Sequence, residues 1–323
     1  SDGAWQQEAS ARTDHAYMIK NRVMPDQIHN FAHNNEWLIR NLNHLGAVDR
    51  AVDLARNMVE LPRHPDYNTF KKGSANYGTM RLLETLVRYE LWDELLRLAG
   101  TQYLAPTDSN DHEVRRHHAL GLAHAWQGDN EGSTRELAAL KQLKTKRPKP
   151  KKPDPKTETE GKPDSRSKSK SKGKAKSKKP PTVGFLATMA TIEFAEAEIN
   201  AVRFAAVGDA KAAQPWLTKA AKSPAERLSA IYAALGNHKK AVELAESSVK
   251  KNTNQLQPHA QLIRTLWQFG ETDQAVAQFK KLRPRTAEAD LKAPIFEALA
   301  SVAKQAGFKS DWRPTLKRPK DFG

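Results

Sequence analysis

A short pattern recurs along the chain: an apolar residue, Gly, four variable residues, then Ala. It stands at Leu45-Gly46 to Ala51, Val207-Gly208 to Ala213, Leu235-Gly236 to Ala241 and Phe269-Gly270 to Ala275. Gln127-Gly128 to Ser133 is a weaker copy and Tyr89-Glu90 to Leu95 a degenerate one. The physical content of the pattern is specific. Gly closes a helix in the left-handed conformation, which costs a residue with a Cβ roughly 1–2 kcal/mol. The small residue one turn into the next helix lets the two helices approach closely. Around these turns apolar residues recur at helical spacing, as at Leu82, Leu83, Leu86 and Val87 and at Leu228, Ile231, Tyr232 and Leu235. Alternating strand runs between Asn-Gly or Asp-Gly turns are missing. The expected fold class is all-α, built from antiparallel helix pairs.

Successive copies are 44, 38, 80, 28 and 34 residues apart. The longest step contains residues 144–182, rich in Lys, Pro and Ser, with sixteen Lys/Arg against four Asp/Glu. Of the formal charge of +16 for the whole chain, this stretch supplies +12 and the remainder +4. It has seven prolines, no aromatic residue and Ala175 as its one aliphatic side chain. Such a segment cannot bury enough apolar area to offset the entropy of ordering, and disorder is expected. Taking out its 39 residues shortens the step of 80 to 41. The stretch therefore reads as a basic insertion within one helical array, between repeat blocks 1–143 and 183–323. Helices are expected over 25–45, 130–143, 184–207 and 287–306, among others, and Ser223-Pro224-Ala225-Glu226 reads as a capping box.

The final step of 34 residues equals the tetratricopeptide (TPR) period of about 34. The turns HLGAVDRAVDLA, ALGNHKKAVELA and QFGETDQAVAQF resemble the Gly-x-x-x-x-Ala turn of that family, and Leu61-Pro62 and Leu282-Arg283-Pro284 resemble its terminal proline. The resemblance implies a TPR-like α-solenoid, a superhelix whose concave face binds a peptide or protein segment. Residues 24–104, with MPDQIHNFAHNNEWLIRNLNHLG, LPRHPDYN and RLLETLVRYELWDELL, resemble a subgroup of long TPR proteins in which the array can precede a thioredoxin-like redox domain. On that resemblance the chain is a regulatory region excised from a longer redox protein.

The leading functional expectation is a non-catalytic interaction or scaffold module. Its partner, a protein or peptide, is expected on the concave side of the N-terminal block, at His29, His33, Asn34, Trp37 and Arg40. A second reading starts from spacing. His29 and His33 lie four apart with Glu36 three further on, so two imidazoles and a carboxylate share one helical face and suit Zn²⁺ or another divalent ion. This would make an enzymatic or metal-binding domain, but not the metalloprotease motif, because Asn30 stands where that motif has its Glu. A third reading is non-specific binding of nucleic acid or another polyanion by the insertion, through Lys168, Lys170, Lys172, Lys174, Lys176, Lys178 and Lys179. No aromatic residues are interleaved there to stack on bases.

Arg115-Arg116-His117-His118 and the carboxylates Glu193, Glu196 and Glu198 read as solvated helix faces. The loop from Leu61 to Gly73 reads either as functional or as tied down by Tyr67. With no Cys there is no disulfide framework, thiolate metal site or Cys nucleophile. No Gly-rich phosphate loop or G-x-S-x-G is present and no cofactor is expected. No run of 18 apolar residues marks a membrane span. Ser1 opens the sequence, so a cytoplasmic protein and one exported after loss of a signal are both open.

Overall fold

A computed structural model describes residues 2–28, 30–146 and 189–315. Its helices are α1 (Asp2–Asn21), α2 (Phe31–Leu45), α3 (Val48–Glu60), α4 (Ser74–Arg88), α5 (Trp92–Leu98), α6 (Asn110–Trp126) and α7 (Asn130–Lys146), then α8 (Met189–Ala206), α9 (Ala210–Lys219), α10 (Ala225–Ala234), α11 (His238–Lys251), α12 (Leu256–Gln268), α13 (Thr272–Leu282), α14 (Pro294–Glu297) and α15 (Ala300–Gln305). Among the described residues no strand forms; two isolated bridges lie in the loop between α3 and α4.

The recurring turns join the helices as their chemistry requires. Gly46, Gly128, Gly208, Gly236 and Gly270 all have φ between 70° and 78°, and Glu90, at the degenerate copy, takes the same left-handed conformation at 59°. The small residues five positions on, Ala51, Ser133, Ala213, Ala241 and Ala275, are fully buried. Gly46 is required twice over: a Cβ there would also stand 2.8 Å from the ring of Phe296.

Helices adjacent in sequence pack in pairs, α3 with α4, α6 with α7 and α10 with α11 most extensively. The even-numbered helices make a second set of contacts. α2 packs on α4, α4 on α6, α6 on α8, α8 on α10 and α10 on α12, and α12 returns to α2. The segment after α13 seals this return. The Asp290 backbone N–H donates to the Gly46 carbonyl at 2.9 Å. The Asp290 carboxylate accepts from the Asp49 N–H at 2.8 Å, capping the start of α3 from the far end of the chain. Arg50 pairs with Glu288 at 3.0 Å, and Phe296 packs on Tyr89. The ends of the described array thus meet, where an open superhelix would keep them apart.

The departures from the sequence reading have local causes. The expected helix 25–45 becomes a 3₁₀ turn, Pro25–Gln27, followed by α2. Asp26 is drawn off to α4, where its carboxylate accepts from the N–H and hydroxyl of Ser74, both at 2.8 Å. The expected helix 287–306 begins only at Pro294 and forms two short helices, α14 and α15; before it, Glu288 and Asp290 are drawn into the ring closure. Ser223 caps nothing, and Glu226 accepts instead from the Ser248 hydroxyl of α11 at 2.6 Å. α7 runs three residues past 143, into the stretch assigned to the insertion, and Lys144 pairs with Glu193 of α8 at 2.9 Å. Residues 147–188 lie outside the described residues, as do Lys168, Lys170, Lys172, Lys174, Lys176, Lys178 and Lys179. The loop between α3 and α4 is tied down by Asn68, not Tyr67. Asn68 donates to the Pro62 carbonyl at 2.9 Å and accepts from the Ala75 N–H at 2.8 Å, while Tyr67 stays exposed.

Candidate functional site

α2 has a neighbour on most of its circumference, and its polar residues divide among them. Asn34 donates to Asp14 of α1 at 2.7 Å, and Asn41 reaches the Gly3 carbonyl of the same helix at 3.4 Å. Toward α4, Asn43 donates to the Thr85 hydroxyl at 2.9 Å. Arg81 Nε donates to the buried Glu36 carboxylate at 2.7 Å. The remaining stripe is His33, Trp37, Arg40 and His44, spaced to share one helical face. Trp37, 49% exposed, is the one exposed residue of α2. The Arg40 guanidinium lies over its ring, 4.7 Å from the centroid, and the His33 ring is 5.0 Å from that of Tyr77 on α4.

Of the sequence-predicted partner residues, His33, Trp37 and Arg40 therefore share one face, Asn34 turns to α1, and His29 lies outside the described residues. His29 also belongs to the predicted metal set His29, His33 and Glu36, of which Glu36 is engaged by Arg81. Among the described residues no group of three or more His, Cys, Asp or Glu is placed to hold a metal ion.

Beside the stripe runs a polar chain from α2 to α12. Arg81 bridges Glu36 and Glu84. Arg88 reaches Glu84 at 3.0 Å and the side-chain carbonyl of Gln255 at 2.8 Å. Burial opposes ionisation of Glu84, yet Arg88 and Arg81 hold its carboxyl below the usual range. The His44 imidazole is pushed down to about 4 by burial, reinforced by Arg88 and Arg40. Burial first, and then the neighbouring guanidinium charges, keep this imidazole neutral.

A second cluster escaped the sequence reading. His118 of α6 meets Glu198 of α8 at 2.8 Å, and Arg227 of α10 meets the same carboxylate at 2.9 Å. Glu198 is 1% exposed, so it is no part of a wet face. Burial opposes its charge, but Arg227 and His118 lower its pKa. A cavity of about 20 Å³ lies alongside, lined in part by Arg88, Trp92, Trp126, Arg227 and Gln257. Its volume admits about one water molecule. The neighbours of His118 on α6 are also engaged. Arg116 donates to the Leu104 carbonyl at 2.6 Å, and His117 meets Glu136 at 2.6 Å. Consecutive helical residues point about 100° apart, so each met a different neighbour. No sequence signal marks these pairs, because their partners come from separate helices.

No family model, curated protein or solved structure matches this chain. Among the described residues no helix is long and apolar enough to cross a membrane.

Proposed function

We propose that this protein is a non-catalytic interaction module, a TPR-like array that binds a protein or peptide segment on the free face of α2. The observation that carries this reading is the Trp37–Arg40 pair. The one exposed side chain of α2 is this half-exposed indole, and the Arg40 guanidinium lies 4.7 Å from its ring centroid. Trp and Arg are the residue types that most often dominate binding energy at protein interfaces. The pairing of helices, the left-handed Gly turns and the buried small residue after each turn support the TPR-like description.

The test is capture of partners from a lysate of the source organism by the wild-type chain and by Trp37→Ala/Arg40→Ala. One defined partner is expected to be lost at least ten-fold by the double variant, with the helical circular dichroism unchanged. Equal recovery of every captured protein would remove this face from the account. Asn34 is unsuitable for the test, because its substitution breaks the contact with α1.

A further inference from the structure

We infer that the α2 face recognises an acidic peptide segment, a side-chain carboxylate of which docks on Arg40. The inference rests on the reading of that face as the binding surface and adds the chemistry of the partner.

Three observations carry it. The first is that Arg40 is spared. Arg81 is held by Glu36 and Glu84, Arg88 by Glu84, and Arg264 by Glu90 through two contacts of 2.6 Å. Arg40 has no carboxylate partner among the described residues; its contact is the face of Trp37. The second is geometry. The Arg40 guanidinium lies 4.7 Å from the centroid of Trp37, the one exposed side chain of α2, so a segment that covers the indole also meets the guanidinium. A guanidinium is a planar fork suited to a two-point contact with a carboxylate. The third is charge. At His44, on the same stripe, three guanidinium groups, Arg88, Arg40 and Arg81, act against one carboxylate, Glu84, so the stripe itself favours an incoming negative charge. Trp37 supplies apolar surface beside the docking point for a flanking residue of the peptide.

The experiment uses the full chain with its histidine rings isotope-labelled, the His33 and His44 signals being assigned by substitution. The probe is a blocked Glu-Gly-Glu-Gly-Glu peptide, compared with its Gln and Lys counterparts. The acidic peptide is expected to shift both signals saturably. Its affinity should fall at least ten-fold in Arg40→Gln and be only partly restored in Arg40→Lys, which keeps the charge but loses the fork. Unchanged circular dichroism shows that the variants are folded. Acidic peptide retained by the Lys-rich stretch alone would leave both signals in place and overturn the inference. Equal shifts with the Gln or Lys peptide would overturn the carboxylate assignment while supporting the face as a binding surface. If no peptide moves either signal, the inference fails, while the reading of the face as a binding surface is decided separately by partner capture with Trp37→Ala/Arg40→Ala.

Discussion

Glu90 occupies a turn position where most copies of the pattern have Gly, and it adopts their left-handed backbone at φ 59°. The strain of roughly 1–2 kcal/mol is retained where its carboxylate holds Arg264 of α12 in a two-point contact. The turn was legible, because Gly and small residues act through local backbone sterics. The Arg264 contact was not, because it joins residues 174 positions apart. Glu198 makes the same point. On its own helix it belongs to a run of carboxylates that suggests solvent, and only the arrival of His118 and Arg227 makes a buried charge tolerable. Two histidines yield a prediction at this scale. Burial, with Arg88 and Arg40 nearby, takes His44 to about 4, and burial with Arg115 nearby takes His112 to about 4. In the unfolded chain both bind a proton near pH 6.5. Between these values the unfolded state holds more protons, so stability falls as the pH falls. The melting temperature is expected to drop from pH 7 to pH 4.5, and to drop less in His44→Gln/His112→Gln. Parallel pH profiles for the two proteins would contradict this.

Among elements, periodicity located most helices and misjudged those whose ends serve another helix. Pro25 and Asp26 look like a helix start, but Asp26 caps α4. The polar character of α2 was legible as a string of Asn and His. How it divides, Asn34 to α1, Asn43 to α4 and Trp37 to solvent, depends on which helices surround it. The insertion is the clearest case of sequence arithmetic carrying structural meaning. α7 and α8 pack together, α6 packs directly on α8, and Lys144 and Glu193 join the two sides of residues 147–188. The helices on both sides thus satisfy one another without it. Replacing 147–188 by a short Gly/Ser linker is expected to leave the helical circular dichroism per molecule and the melting temperature essentially unchanged. A fall of more than about 4 °C, the equivalent of roughly 1 kcal/mol in a smaller domain, would show that the segment contributes to the fold.

For the whole molecule, the repeat pattern reads as antiparallel helix pairs, and the TPR resemblance implies a superhelix. Closure escaped it because the closing residues lie outside the repeats. Asp290, Glu288 and Phe296 belong to a segment that reads as one more helix, and only their meeting with Gly46, Asp49 and Arg50 reveals their use. Closure brings α12 against α2 and places Gln255 at the end of the polar chain beside Arg40 and His44. It thereby defines the wall on which the proposed partner docks. The chain has no cysteine, so paired labels go only where they are introduced. The most direct test is a spin-label distance measurement between Asp53→Cys and Lys292→Cys, both at exposed positions on either side of the junction. One short, narrow distance distribution is expected, unchanged by urea until the helices themselves melt. A broad distribution at long distance in a fully helical protein would contradict it.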